Sequence, residues 1–232
     1  MVKITSYPAE PSDVKHYISG EKMKNDHHLH TVLTFDNHLN IDVLKKAVMQ
    51  STKKLPLLLC HFKETKKGAF WQESVFSAED LVFLVETQAP ETEVDRALVT
   101  KLSTENGPQI CFTVVRADTS DQLVVIMNHM LADGAGFKEY LYLLSELYSN
   151  LLENPDYAAN LSLGSRSLKQ IFDQLSRKDI KSIFTEKTKQ KAVHNPTFPL
   201  KVTRKIRKLF GLSYQKRIFR KSSTLQKSTR QL

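Results

Sequence analysis

The stretch from Ile110 to His129 limits the fold more than any other. "ICFTVVRA" (110–117) reads as a strand, "DTSD" turns, and "QLVVIMNH" (122–129) returns as a nearly unbroken apolar run. Two strand-like runs joined by a short polar turn form a hairpin. An unbroken apolar strand has to be covered on both faces, so the second arm belongs in the middle of a sheet. The rest of the chain must then supply neighbouring strands and covering helices.

Both are present. "HLHTVLTF" (28–35) alternates and carries β-branched residues, the pattern of a strand. "NIDVLKKAVMQSTKKLP" reads as a helix, with Ile41, Leu44, Ala47 and Val48 on one face and Pro56 as its stop. "LLLCHF" (57–62), "AFWQES" (69–74) and "LVFLVE" (81–86) are further strand segments. "PSDVKHYI" opens a short helix with Ser12 or Asp13 as N-cap. Residues 92–107 read as a helix closed by Asn-Gly. In 137–153, Phe137, Leu141, Leu144, Tyr148 and Leu151 form an apolar stripe at steps of three and four. A further amphipathic helix is expected over 165–178. The elements predict an α/β fold, a two-layer sandwich of mixed, largely antiparallel sheet and helices.

Charge divides the chain. Residues 161–232 hold 19 Lys+Arg and three acids, whereas 1–160 hold 15 bases and 22 acids. The net +9 is therefore an acidic globular part followed by a basic one. We expect a domain over 1–160, a helix and linker over 161–200, and a basic segment over 201–232. Cys60 and Cys111 both lie in apolar runs, as buried reduced thiols do. No apolar run approaches the roughly 20 residues of a membrane helix, and "MVKITSYPAEPSD" lacks the apolar core of a signal peptide. These features predict a cytoplasmic location.

The chemistry concentrates in "NHMLADGAGF" (128–137). A histidine at the end of a buried strand is held rigidly while its tip reaches a loop. Its imidazole titrates near neutrality and suits a general base. Asp133 enters a helix N-terminus, where it can cap the helix or pair with an arginine. Gly134 and Gly136 allow a tight turn and leave room for a substrate.

"NHMLADG" resembles the HHxxxDG motif of the chloramphenicol acetyltransferase-like superfamily, which includes condensation domains and alcohol acyltransferases. The preceding hairpin, "ADGAGF" and the following helix match its context, and "LKKAVMQSTKKLPLLLCHF" is similar to an upstream region of that family. The resemblance spans about residues 5–175. It implies that His129 is the catalytic base. That base would take a proton from an alcohol or amine, which then attacks an acyl-CoA or phosphopantetheine thioester. It implies a supporting role for Asp133 through an arginine, with Arg116 as one partner. It places Asn128, Gly134 and Gly136 along the substrate channel. Neither a permanently bound cofactor nor a metal is implied. "DHHLH" (26–30) invites a metal reading, but alternation along a strand is expected to split its side chains between two faces.

Two departures qualify the resemblance. Asn128 stands where the motif has its first histidine, on the strand face opposite His129. Single-chain members of the family also have two lobes and about twice this length. The chain therefore reads as an N-terminal lobe, a linker and the first elements of a second lobe, with weak activity unless a second chain completes the site. The alternative is a non-catalytic half-domain whose basic segment, "KVTRKIRKLFGLSYQKRIFRK" (201–221), binds a partner or lies on an anionic membrane surface. Nucleic acid is not expected, because no recognised motif is present and the main part is acidic.

Overall fold

A computed structural model describes residues 5–22, 25–66, 68–159, 166–167 and 169–185. The chain divides into two units, Met1–Ser176 and Arg177–Leu232. In the second, the described part is one helix, α6 (Arg177–Thr185). The basic segment 201–232 and most of the 161–200 linker lie outside the described residues.

The described residues of the first unit form two sheets. The larger has the order β2 (His28–Phe35), β7 (Asp121–Asn128), β6 (Ile110–Arg116), β5 (Val82–Glu86). β7 pairs antiparallel with both neighbours, and β5 runs parallel to β6. The smaller sheet has the order β1 (Ser6–Pro8), β4 (Gly68–Glu73), β3 (Cys60–Thr65).

β7 is central, as its composition requires, and every residue from Leu123 to Asn128 is buried. On one sheet face, α2 (Ile41–Lys54) and α4 (Gly134–Glu153) bring Leu44, Val48, Phe137, Tyr140 and Leu147 onto Phe112, Val114, Leu123, Val125 and Met127. On the other face, α3 (Pro90–Leu98) sets Val94 and Ala97 against Val115, Val124 and Ile126. Each face of β7 thus has its own apolar cover. Asn40 caps α2 by accepting from Val43 N at 3.1 Å.

Several boundaries differ from the sequence reading. Pro56–Leu59 forms a 3-10 turn, and β3 begins only at Cys60, because a short apolar run does not reveal whether it is turn or strand. α1 (Pro11–Tyr17) is capped by Glu10, with Pro11 at its first position and Asp13 at its third. α3 begins earlier than expected, at Pro90, and ends at Leu98, not Gly107. Residues past Leu98 fold instead around the buried side chain of Gln109. Its amide donates to Gly107 O at 2.8 Å and Cys60 O at 3.0 Å, with Thr104 O at 3.3 Å. Within 165–178, α5 (Lys169–Phe172) ends before α6 starts at Arg177, so no continuous helix forms. Among the described residues, no helix is long and apolar enough to cross a membrane.

Candidate functional site

His129 follows the last residue of β7. Its backbone N donates to His27 O at 2.9 Å, which continues the pairing of β2 with β7 by one residue. The ring is half-buried and stacks on His16 of α1, with centroids 4.8 Å apart and planes inclined by 18°. His16 Nδ1 lies 3.2 Å from His27 Nδ1. Three histidines from three segments thus meet at the end of the central strand. His129 Nδ1 is buried without a hydrogen-bond partner among the described residues. Burial, reinforced by His129, His27 and Lys15, holds His16 below the usual histidine range and therefore neutral at pH 7.

Asn128 anchors the turn from the opposite strand face. It is buried, its Nδ2 donates to Gln109 Oε1 at 2.8 Å and Thr104 Oγ1 at 3.1 Å, and its Oδ1 accepts from Met130 N at 3.0 Å. A histidine cannot reproduce this set, because an imidazole has two ring nitrogens where the amide offers two donors and an acceptor. Asn128 also touches a cavity of about 280 Å³ that His16, His27 and Thr104 line. Gly136 lines a separate, apolar cavity of about 320 Å³ with Leu57, Met127, Leu131 and Tyr140. A Cβ at Gly136 would meet Ala132 Cβ at 3.2 Å, whereas Gly134 faces open space.

The expected pairing of Arg116 with Asp133 does not form. Arg116 lies at the far end of the hairpin, directly across from Asp121, roughly 26 Å along the ladder from His129. It is held there by Asp121 at 2.8 Å and by Leu39 O at 2.8 Å. The arginine that does reach the turn is Arg166. Its Nη2 donates to Met130 O and to Asp13 Oδ1, both at 2.8 Å. Asp133 is exposed and caps α4 by accepting from Gly136 N at 2.8 Å. Asparagine caps about as well as aspartate, so Asp133→Asn is expected to stay within about 0.5 kcal/mol, and Asp133→Ala to cost about 1 kcal/mol. Chemical denaturation of both variants decides. A loss of several kcal/mol in Asp133→Asn would demand an ion pair in place of the cap.

Both cysteines are free and buried. Burial, with Glu73 nearby, pushes the Cys60 thiol up to about 12, so it is no nucleophile at neutral pH. The sequence reading missed His16, His27 and Gln109. The histidines come from segments that touch only after β2 pairs with β7. A lone Gln after "NGP" carries no local signal of its role.

No family model and no curated protein matches the chain. Solved structures do. The starter condensation domain of rhizomide synthetase RzmA superposes with a TM-score of 0.60 at 14% identity, covering 78% of this chain and 44% of that one. A variant of that domain in complex with C8-CoA and Leu-SNAC gives 0.57 at 14% identity, covering 78% and 42%. The first condensation domain of the calcium-dependent antibiotic synthetase, in complex with a substrate analogue, gives 0.58 at 14% identity, covering 69% and 43%. The chain spans less than half the length of the solved structures it matches. Over the matched part it therefore has the α/β fold of condensation domains.

Proposed function

We propose that the chain takes part in acyl transfer from an acyl-CoA or carrier-bound thioester to an alcohol or amine, with His129 as the general base. The observation that carries this reading is the position of His129, fixed at the end of the central strand and supported from behind by Asn128 and Gln109. With Nδ1 buried, Nε2 is the nitrogen that would take the acceptor's proton. The apolar cavity along Leu57, Met127, Leu131 and Gly136 would hold the acyl chain. The ligands of the similar structures, C8-CoA and Leu-SNAC, are of the donor and acceptor classes this reading calls for.

Much of the acceleration in such a reaction comes from holding donor and acceptor in line. A chain covering less than half of a condensation domain would need a second chain, or a further segment, to supply the facing wall. Turnover by the chain alone is therefore expected to be weak.

The test measures C8-CoA binding by calorimetry, and its turnover with a panel of amines and alcohols. His129→Ala is expected to keep its fold by circular dichroism, to retain C8-CoA binding, and to lose about 10²–10⁴-fold in rate. Equal rates in wild type and variant, or no C8-CoA binding by wild type, would overturn the proposal.

A further inference from the structure

The segment "DHHLH" was expected to scatter its side chains over two faces. Alternation does send His27 and Leu29 one way, His27 to the histidine cluster and Leu29 to the main core. The same period brings every second residue together. Asp26, His28 and His30 converge so that one donor atom from each lies within 4.8 Å of the others. Asp26 Oδ1 is 2.8 Å from His28 Nδ1, and Asp26 Oδ2 is 3.9 Å from His30 Nε2. Among the described residues, no other group of three such side chains converges in this way.

We propose that Asp26, His28 and His30 form a binding site for one divalent first-row transition ion, of the Zn²⁺, Co²⁺ or Ni²⁺ class. This inference stands independently of the acyl-transfer reading. Two imidazole nitrogens and one carboxylate oxygen suit these ions, whereas Mg²⁺ and Ca²⁺ take oxygen donors alone. Around a tetrahedral ion with bonds of about 2.0–2.1 Å, donors stand roughly 3.3 Å apart. One histidine nitrogen stands closer than this to Asp26 and the other farther, each against a different carboxylate oxygen, so Asp26 would rotate to present one oxygen to an ion. The two histidines are held on β2, with side chains 13% and 24% exposed, while Asp26 is 62% exposed and free to adjust. Three protein ligands leave a fourth position for water or an exogenous ligand. Asp26 and His28 also line the cavity of about 280 Å³ that His16 and His27 share, so the fourth position lies at its wall.

Leu102 N donates to His28 Nε2 at 3.3 Å, so Nδ1 carries the ring proton and gives it to Asp26. When the ion takes Nδ1, the ring proton moves to Nε2 and the long Leu102 contact opens. Leu102 belongs to the connection between α3 and β6, where no ladder hydrogen bond opposes the shift.

The test uses the full chain, stripped of metal with a chelator and titrated with Zn²⁺ and Ni²⁺ by calorimetry, and with Co²⁺ by visible absorption. One ion per chain is expected, with Co²⁺ bands of low coordination number. His30→Ala and His28→Ala should each weaken affinity at least about 10-fold, the lower end of what losing even an outer partner costs. Circular dichroism checks their fold, and His30→Gln serves if His28→Ala does not fold. His16→Ala and His27→Ala should leave affinity unchanged. Absence of binding, affinity unaffected in His30→Ala and His30→Gln, or affinity lost in His16→Ala would each overturn the assignment.

Discussion

Asp121→Ala is expected to remove about 3–5 kcal/mol of stability, the cost of breaking a buried ion pair by deleting one partner. Asp121 is fully buried, and Arg116 keeps only 18% of its side-chain exposure. The carboxylate accepts Arg116 Nε at 3.0 Å, Arg116 Nη2 at 2.8 Å and Leu39 N at 2.7 Å. Deleting it strands a guanidinium without its counter-charge and a buried amide without an acceptor. The pair also ties the hairpin turn to the segment that enters α2, so two connections loosen at once. Acid should act on the same group. Burial tends to raise the Asp121 carboxyl, but the Arg116 and Leu39 hydrogen bonds outweigh it and hold it below the ordinary 3.8. A carboxylate depressed in the folded state contributes stability above its unfolded value, and that stability is lost as pH falls through the folded one. Wild type should therefore lose more stability on acidification below about pH 4 than Asp121→Asn does. Urea melts at pH 7 and in acid measure both effects. A loss under about 1 kcal/mol at pH 7 is what an exposed pair would give; that result, or parallel acid limbs, would contradict this account.

The second large effect is expected at Asp13. Asp13→Ala should cost about 3 kcal/mol, or about 6–12 °C in melting temperature for a unit of this size. The fully buried carboxylate accepts Trp71 Nε1 at 2.9 Å, Glu10 N at 3.0 Å and Arg166 Nη2 at 2.8 Å. Arg166 is 36% exposed and can turn to water, so it contributes the least. Trp71 is fully buried, and its indole N–H has nowhere else to donate. An unsatisfied buried donor costs about 1–3 kcal/mol, and the lost cap bond about 1 more. A double-mutant cycle with Trp71→Phe isolates the first of these. Removing the indole donor should cost distinctly less in the Asp13→Ala background, with a coupling of about 1 kcal/mol or more. Additive costs would place the effect elsewhere.

What the sequence reveals here follows the range of its signals. Period two and period 3.6 found β2, β6, β7, α2 and α4, because each element buries one continuous stripe or both faces. Those patterns report what a residue is covered by, not which residue covers it. The Arg116–Asp121 pair depends on the exact turn: a turn at 118–121, as read from the sequence, sets Arg116 opposite Leu123, whereas the observed turn at 117–120 sets it opposite Asp121. Pairing Arg116 with Asp133 ignored the direction in which the hairpin runs. The overrun of α3 has another cause. "VTKLSTENG" has helical composition, but Gln109 offers those carbonyls a tertiary partner that no local window contains. The histidine cluster was invisible for the same reason, since His16 sits on a helix and His129 at a strand end, 113 positions apart in the chain.

The Gln109 arrangement also bears on how the first unit opens. Phe62 N donates to Thr104 O, Gln109 N to Leu58 O, and Asn128 N to Gln109 O, so one irregular loop is stitched to both sheets. Irregular loops usually exchange their amide protons through small local openings. Of these three amides, Gln109 N is the loop's own and Phe62 N and Asn128 N belong to the strands it joins, and none is freed without parting the loop from the β3 segment or from β7. Their exchange should follow the opening of the whole unit, at rates like those of the central strand. The backbone beneath His129 would then be among the last parts of the molecule to loosen.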